Sequence, residues 1–384
     1  MSENERVHDA LERLEWRDGK RGVGSAAVGL TRRAALTGGA AGLTAALLEA
    51  CGSAAGTSHG KAAPSVSTGP TMSIFGTGGG YRFTFVNHLR TNPFFIPTIH
   101  GAADACALLN CSYDWTGSTV NDVGEMVGAI NTAANGGADG IATTLIAPGS
   151  FASSIAAATA QGIPVLSYNA DQPGTERLAY VGQDLHAAGL EMGRRIHHLL
   201  PAGGRIMVFI STPGSANVEP RLAGLREALK GSKIVLETAA SGVAVAIRQE
   251  RILGFIAAQL TDYNGYFAVD AGSTAAVAHA AQRHELRSQG VAAGGFDLSP
   301  ATERLLGSGV IDFTIDQQPY LQGFLTVLQL FLHSVTGGLG GTADVDTGAR
   351  FLDTHTIAPY VGTASRYEGT GAGFPSPPRV PPSG

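Results

Sequence analysis

Short apolar runs alternate with longer amphipathic segments from Tyr81 to Ile315. Several short runs, such as RIMVFI at Arg205–Ile210, are apolar nearly throughout, which is typical of strands buried on both faces. The longer segments, such as Asp184–Leu200, repeat apolar positions at helical spacing. Strands that alternate with helices predict parallel sheets covered by helices on both faces.

The predicted strands are Tyr81–Asn87, Cys111–Trp115, Gly140–Thr144, Pro164–Tyr168, Leu178–Val181, Arg205–Ile210, Ile234–Glu237, Tyr266–Val269, Val291–Phe296 and Ile311–Ile315. The predicted helices include one that begins at Pro93, and Val120–Asn135, Asp184–Leu200, Ala216–Lys230, Ala244–Leu260 and Ser273–Arg287. Gly337–Thr347 is Gly-rich and precedes a predicted extended run, Phe351–Tyr360. Because the strands are too many for one small sheet, the pattern predicts two α/β lobes.

The start of the chain lacks this pattern and resembles an export signal. Paired Arg32 and Arg33 precede a mildly apolar run of about fifteen residues, Ala34–Leu48. A bilayer crossing needs roughly 20 apolar residues, so this run is too short for a stable span. Paired arginines before such a run resemble a twin-arginine signal, but Ala35 stands where that signal usually has a bulky residue. The general secretion route therefore stays open.

Leu48-Glu49-Ala50-Cys51 resembles a bacterial lipobox, in which the cysteine becomes the lipidated first residue of the mature protein. Glu49 is atypical of that pattern, and the alternative is an ordinary cleavage site with an incidental cysteine. The Gly/Ser/Ala-rich residues that follow have the composition of a flexible tether. The sequence therefore predicts an exported protein that a lipid on Cys51 holds to the cell membrane, outside the cytoplasm.

The composition and charge of the chain argue against nucleic acid as a partner. The 384 residues are 44% hydrophobic and 15% charged, with a formal net charge of −5. There is no basic field for nucleic acid. Beyond the signal, the cysteines are Cys106 and Cys111, whose spacing across a helix end is awkward for a disulfide. We expect two small buried residues there, although an oxidising compartment leaves a disulfide open.

Ligands bind outside the carboxyl ends of the strands in open parallel sheets, so the residues that follow the strands are the candidate site. They are Asn92, Phe94, Phe95, Trp115, Ala147, Asn169, Ser215–Arg221, Asp270, Asp297 and Gln317. Amides, carboxylates, an arginine and aromatic rings form a hydrogen-bonding set with stacking surfaces. A helix that begins at Pro93 turns only one of Phe94 and Phe95 squarely toward its core stripe, so we expect at least one to face a ligand.

Known catalytic and cofactor motifs are absent from the sequence. FGTGGGY at Phe75–Tyr81 precedes a strand, whereas a dinucleotide fingerprint follows one, so we interpret it as a linker. There is no phosphate loop, nucleophile elbow, H-E-x-x-H or paired C-x-x-C. Asp270 and Asp297 suit an acid/base pair of an exported hydrolase, but they suit accepting hydrogen bonds from sugar hydroxyls better. We predict a protein that is not an enzyme and uses no cofactor or metal.

Six motifs occur in a distinctive order. They are TNPFF (Thr91–Phe95), GADGIATTLIAP (Gly137–Pro148), GIPVLSYNA (Gly162–Ala170), YVGQD (Tyr180–Asp184), VAAGGFD (Val291–Asp297) and DFTIDQQP (Asp312–Pro319). Their order and spacing resemble the periplasmic sugar-binding proteins of the ribose-binding type, which deliver ligands to ABC importers. The resemblance implies two Rossmann-like lobes of parallel sheets flanked by helices, with a ligand cleft between them, as in periplasmic binding proteins of type I.

Carried over by position, the resemblance implies that the candidate residues line that cleft. They are Asn92, Phe94, Phe95, Asn169, Arg221, Asp270, Asp297 and Gln317. Ala147, Ala170 and Val243 or Val245 depart from the ribose binders, so we expect a roomier pocket for a sugar or polyol other than ribose. Trp115 and His88 can occupy part of that space.

The resemblance also implies the domain organisation and the partners. The predicted segments are a signal at 1–51, a tether at 52–70, an N-terminal lobe at 71–183 and 318–347, a C-terminal lobe at 184–317 and 348–363, and a disordered Gly/Pro tail at 364–384. We expect a monomer that passes a sugar or polyol to an ABC permease. The alternative is a binding protein that hands a non-sugar signal molecule to a membrane receptor. A transcription regulator of the lactose-repressor family would need a DNA-binding head, and residues 1–70 offer none.

Overall fold

The structure, a computed structural model, describes residues 80–361. The predicted export signal with Arg32 and Arg33, the lipidation site Cys51, the tether and the C-terminal tail lie outside these residues. Their assignments therefore remain predictions.

The described chain alternates strands and helices. The strands are β1 (Arg82–Asn87), β2 (Ser112–Gly117), β3 (Gly140–Thr143), β4 (Val165–Tyr168), β5 (Ala179–Gly182), β6 (Gly204–Ile210), β7 (Ile234–Ala240), β8 (Gly265–Ala268), β9 (Ala292–Phe296), β10 (Phe313–Asp316), β11 (Val345–Asp346) and β12 (Arg350–Leu352). The helices are α1 (Ile96–Leu109), α2 (Val123–Asn135), α3 (Ala152–Ala160), α4 (Leu185–Leu199), α5 (Glu219–Ala228), α6 (Val245–Ala258), α7 (Ala271–Arg283), α8 (Pro300–Gly307) and α9 (Pro319–Val335).

The strands form two six-stranded sheets with related strand orders. The first runs β11-β5-β4-β3-β1-β2 and the second β12-β10-β9-β8-β6-β7. Helices flank both sheets, which confirms the prediction of two parallel α/β lobes. The chain passes between the sheets after β5, after β10 and after β11, and we call these segments the first, second and third crossovers. The predicted lobe boundaries remain a proposal.

The structure also differs from the predicted pattern. β12 lies antiparallel to β10, so the second sheet is not purely parallel. The predicted extended run Phe351–Tyr360 is strand only as far as Leu352 and then continues in turns. The helix expected at Pro93 begins with a short 3-10 turn, Pro93–Phe95, before α1.

Apolar side chains fill the space between sheets and helices. The central strands β3, β4 and β8 are buried throughout, as the continuous apolar runs predicted. Cys106 is buried and Cys111 is half-buried, and both are free thiols. None of the helices within residues 80–361 has the length and apolar character to cross a bilayer.

Each lobe contains one pair of helices that touch through glycines. In the first lobe, a Cβ on Gly101 of α1 would lie 2.1 Å from the carbonyl oxygen of Tyr320, and one on Gly323 of α9 would lie 2.0 Å from that of Thr98. In the second lobe, Gly189 of α4 stands in the same relation to the carbonyl oxygen of Arg221 on α5, at 2.1 Å. Since no side chain fits at these crossings, the helix backbones lie in direct contact.

We predict that Gly101→Ala destabilises the protein, because the added methyl group has to push α1 away from α9. Overpacking of this kind costs roughly 1–3 kcal/mol of unfolding free energy. The matched control is Gly128→Ala on α2, where an added Cβ meets no atom within 4 Å. That change should be neutral or stabilising by up to about 1 kcal/mol. Urea unfolding of both variants measures the difference, and equal stabilities would contradict the close helix contact.

Candidate functional site

Gln317 is the centre of a buried hydrogen-bonded cluster that joins the two lobes. It follows β10 at the second crossover, and its Nε2 donates to Asp297 Oδ1 at 2.6 Å. Its Oε1 accepts from Asn169 Nδ2 at 3.2 Å. Asn169 follows β4 in the first sheet and Asp297 follows β9 in the second. The structure thus brings together three predicted site residues from different parts of the chain.

Asn169 and Asp297 occupy equivalent places in the two sheets. Each follows the strand next to the crossover strand and has left-handed backbone, with φ of 63° at Asn169 and 71° at Asp297. Asn and Asp tolerate this region better than other residues with a Cβ. The backbone turn after the strand directs both residues to the carboxyl edge of their sheets, where Gln317 reaches them.

Arg221 is buried beside this cluster and is held on several sides. Its Nη1 donates to the carbonyl oxygen of Val269 at 3.0 Å, and its Nη2 donates to Gln183 Oε1 at 3.0 Å. The guanidinium carbon lies 4.1 Å from the ring centroid of Phe296, a cation–π contact. Asp297 Oδ2 is 3.8 Å from Nη1, so the ion pair is loose. These contacts together fix the planar fork of the guanidinium.

Burial determines the direction of the pKa shifts of Asp297 and Arg221. Burial raises the pKa of Asp297 to about 6, although Arg221 and the hydrogen bond from Gln317 oppose that rise. Burial likewise lowers the pKa of Arg221, which the charge of Asp297 opposes. Both shifts have the same cause, which is the loss of water around a charged group. A ligand that supplies hydroxyl groups to these charges would replace part of that lost solvation.

Asp270 has structural bonds of its own. Its Oδ1 accepts from the backbone N–H of Ser273 and caps α7, and its Oδ2 accepts from the N–H of Ser211 at 3.1 Å. Each carboxylate oxygen has a second lone pair that remains suited to a ligand hydroxyl. Its neighbour Val269 supplies the carbonyl oxygen that Arg221 contacts, so Asp270 stands at the same end of the sheet.

The two adjacent phenylalanines have different environments. Phe95 is only 1% exposed and packs into the core of the first lobe, whereas Phe94 stays half-buried. Their ring centroids are 4.8 Å apart in an edge-to-face arrangement. Asn92 caps the turn before them, because its Oδ1 accepts from the N–H of Phe94 at 3.1 Å. Phe94 is therefore the more exposed of the two rings.

Trp115 and His88 extend the aromatic surface. We predicted that Trp115 ends its strand, but β2 runs on to Gly117, so Trp115 lies within the strand. Its ring packs near Phe95, with centroids 6.1 Å apart, and its Nε1 donates to the carbonyl oxygen of Arg90. His88 contacts Phe95 edge to face, and burial lowers its pKa to about 4, so its ring is neutral.

The family comparison agrees with this geometry. Residues 83–335 match the family model described as periplasmic binding protein domain. The chain belongs to this family. The match covers most of the chain, including helices α1 to α9 and every predicted ligand-binding residue, and ends before β11 and β12. Periplasmic binding proteins are binding proteins and not enzymes, as the sequence predicted.

Individual relatives and structures carry the likeness further. The xylose/arabinose-binding protein XylF of Sulfolobus acidocaldarius is 42% identical over 308 residues, which are 77% of this chain and 76% of the relative. A solute-binding protein of an ABC transporter from Burkholderia graminis, in complex with D-arabinose, is 25% identical with a TM-score of 0.68, covering 73% of this chain and 97% of its own. The glucose-galactose binding protein GanP of Geobacillus stearothermophilus, at 23% identity, shares the fold with a TM-score of 0.65 over 72% of this chain and 98% of its own.

In this periplasmic binding protein, sequence reasoning missed two glutamines. Gln322 is fully buried on α9, where its Oε1 accepts from Asn169 Nδ2 and its Nε2 donates to Gln317 Oε1. The signal available was an amide near the start of a helix rich in Leu and Phe, which carries a second amide at Gln329. Gln183 follows β5 and contacts Arg221. Gln183 directly follows a strand and so satisfies the rule that selects candidate residues. We interpreted its segment only as a crossover, and its contact with Arg221 was therefore missed.

The lobes of the binding protein also touch at the rim of the cleft. The carbonyl oxygen of Ile146, in the loop after β3, accepts from the backbone N–H of Ala216 at 2.8 Å and from Ser215 Oγ at 3.3 Å. Ser215 and Ala216 belong to the loop after β6 in the second lobe. The cleft is therefore bounded by the crossovers at one side and by this contact at another.

A concavity lies on the first lobe, away from the buried polar cluster. It is a surface groove of about 690 Å³ along the edge strand β2 and helix α2, with Arg82, Asp114 and Glu125 in its lining. It contains none of the predicted ligand-binding residues, and its charges are of mixed sign. Within residues 80–361, no three His, Cys, Asp or Glu side chains come together as a metal site. The buried polar cluster remains the candidate site.

We predict that Asp297→Asn becomes more stable relative to the wild type as pH rises. The folded protein keeps the Asp297 proton up to about pH 6, whereas the unfolded chain releases it near pH 4, so ionisation lowers the wild-type unfolding free energy across this window. The variant lacks this loss, and its advantage should grow by about 2 kcal/mol between pH 4 and pH 7. Asn still accepts from Gln317 and tolerates the left-handed backbone.

Urea unfolding at pH 4, 5, 6 and 7 measures the difference. Glu303, whose pKa burial raises to about 7, changes stability with the same sign in both proteins and cancels in the comparison. If the difference in stability stays constant across these pH values, ionisation of Asp297 does not destabilise the folded protein, and the prediction is wrong.

Proposed function

We propose that the protein is an exported solute-binding protein that captures a sugar, with pentoses as the first candidates, and delivers it to an ABC importer. The observation that carries this proposal is the buried cluster of Asn169, Gln317, Asp297 and Arg221 at the carboxyl ends of the strands. These side chains come from both lobes and from a crossover. A ligand between them would bind both lobes at once.

The chemistry of the cluster suits a polyhydroxylated ligand. Carboxylates accept from hydroxyl groups, the guanidinium donates to them, and amides do both, as a sugar hydroxyl requires. The half-buried ring of Phe94 would offer an apolar surface to the C–H side of a sugar ring. Charge-assisted hydrogen bonds of this kind contribute roughly 1.5–3 kcal/mol each.

The sugars bound by similar proteins favour pentoses. The relative XylF is named for xylose and arabinose, and the Burkholderia graminis protein holds D-arabinose. Ala147 and Ala170 are smaller and less polar than the residues at these positions in ribose binders. We therefore expect a roomier and less polar pocket on its first-lobe side. A larger sugar or a polyol therefore belongs in the same test.

Ligand binding would favour a closed arrangement, because only that arrangement lets both lobes contact the ligand. The contact from Ser215 and Ala216 to Ile146 across the rim belongs to such an arrangement. The closed monomer would then dock on its permease outside the cytoplasm, tethered to the membrane through Cys51.

We expect a pentose to raise the melting temperature of the purified full chain that carries Cys51→Ala. The panel contains D-xylose, D- and L-arabinose, hexoses, deoxy sugars and polyols at millimolar concentration. A ligand at 100 times its dissociation constant adds about 2.7 kcal/mol to stability, which moves the melting temperature of a chain this size by about 5 °C or more. The sugar with the largest shift identifies the substrate class.

Two variants decide whether the cleft is responsible. Asp297→Asn should weaken binding of that sugar about ten- to a hundredfold in calorimetry, since an acceptor charge is lost. Asp312→Asn is the control, because Asp312 accepts from the N–H of Ala293 at the amino ends of β9 and β10, away from the cleft. Equal affinity in both variants would remove Asp297 from the site. If no sugar or polyol of the panel raises the melting temperature, the alternative is favoured, which is a non-sugar signal molecule that the protein hands to a membrane receptor.

We also expect Cys51→Ala to release the protein from the membrane fraction of its native host, because the acceptor of the lipid is gone. Cys106→Ala is the matched control and should leave the distribution unchanged, since that thiol is buried in the first lobe. Fractionation followed by immunodetection measures both. A Cys51→Ala protein that stays with the membrane as the wild type does would exclude the lipid anchor.

A further inference from the structure

Gln183 connects two crossovers of the fold. It follows β5 at the first crossover and is only 1% exposed. Its Nε2 donates to the carbonyl oxygen of Gly348, at the third crossover, at 3.0 Å. Gly348 has a φ of 82°, so this crossover turns through a left-handed residue where a Cβ would be strained. The amide therefore fixes the distance between two of the three segments that join the lobes.

The other end of the same amide reaches the ligand cleft. Gln183 Oε1 accepts from Arg221 Nη2 at 3.0 Å. The guanidinium can only donate and the carbonyl oxygen of Gly348 can only accept, so the amide has one usable orientation. Oxygen faces the arginine and nitrogen faces the crossover, and a flipped amide would lose both bonds.

Arg221 depends on this bond for its direction. Among residues 80–361, its Nη1 has the carbonyl oxygen of Val269 as its hydrogen-bond acceptor, and its Nε is buried without a partner. Asp297 at 3.8 Å supplies charge but not a short hydrogen bond. Two hydrogen bonds that Arg221 donates, one of them to Gln183, therefore hold the plane of the fork above the ring of Phe296.

We propose that Gln183 is the positioning residue of Arg221 and couples the occupied cleft to the third crossover. A ligand that accepts from Arg221 shares the Nη2 donor group with Gln183 Oε1. A resulting displacement of the Gln183 amide is passed to Gly348 through the bond from Nε2. Crossovers change their backbone angles when lobes move, so this bond links ligand contact to lobe movement. The part of the proposal that concerns a sugar rests on the proposed function. The contact between Gln183 and Arg221 does not.

The competing explanation is that Gln183 only satisfies the carbonyl oxygen of Gly348 and stabilises the crossover. A double-mutant cycle separates the two, because an effect that acts through Arg221 disappears once the arginine is changed. The variants are Gln183→Met, which keeps the length and loses both hydrogen bonds, Arg221→Lys, which keeps the charge and loses the fork, and their combination. Gln289→Met is the control, since that exposed glutamine bonds only the backbone of His284.

The cycle is read out on the full chain with Cys51→Ala, by calorimetry with D-xylose and by the melting temperature without ligand. We expect Gln183→Met to weaken D-xylose binding about tenfold with Arg221 present and less than twofold with Lys at that position. Its melting temperature should fall by about 5 °C with Arg221 and by much less in the Arg221→Lys background. Gln289→Met should change neither quantity.

The outcomes keep the two proposals apart. Equal losses from Gln183→Met in both backgrounds would overturn the positioning role. If the wild type binds neither D-xylose nor any other sugar of the panel, the proposed function fails, and the unliganded melting temperatures still decide whether Gln183 acts through Arg221. Should Arg221→Lys not fold, Arg221→Gln replaces it, because a neutral amide removes the fork without leaving a misplaced charge.

Discussion

The buried pair of Asp297 and Arg221 sets the constraint on which the rest of the site depends. Both charges lie in the second lobe, out of contact with bulk water, and their separation of 3.8 Å is too long for a strong ion pair. Charges in such a place destabilise the fold unless hydrogen bonds replace the lost water. Two glutamines from the crossovers supply these bonds, Gln317 to the carboxylate and Gln183 to the guanidinium. The charged site and the joints between the lobes are therefore one polar network.

The two lobes reach the cleft by the same construction. Their strand orders correspond, and in each a left-handed Asn or Asp follows the equivalent strand, Asn169 after β4 and Asp297 after β9. Each lobe also has one pair of helices in backbone contact through glycines. In the second lobe that contact is made by Gly189 against the carbonyl oxygen of Arg221, so helix packing sets the height of the arginine. The position of Arg221 thus depends on a helix contact made by Gly189, which lies outside the polar cluster.

Much of this arrangement follows from local sequence signals, and the remainder depends on long-range contacts. Continuous apolar runs predicted the central strands because burial on both faces leaves no place for polar residues. The rule that ligands bind at the carboxyl ends of parallel strands selected Asn169, Asp297 and Gln317, which the structure brings together. It could not assign Gln322, since that residue lies near the start of helix α9, five residues after Gln317, and not directly after a strand. Nor could periodicity show that β12 pairs antiparallel, because three residues carry too little pattern.

The crossovers account for why glutamine suits these positions. A side chain that joins a moving segment to a fixed charge needs length, a donor and an acceptor, and no charge of its own. An added carboxylate beside Asp297 would raise the cost of burial, and an added cation beside Arg221 would repel it. An amide meets each requirement and has rotatable bonds that absorb small movements of the lobes. With Gln183 and Gln317 at separate crossovers, each buried charge is hydrogen-bonded to a different segment that joins the lobes.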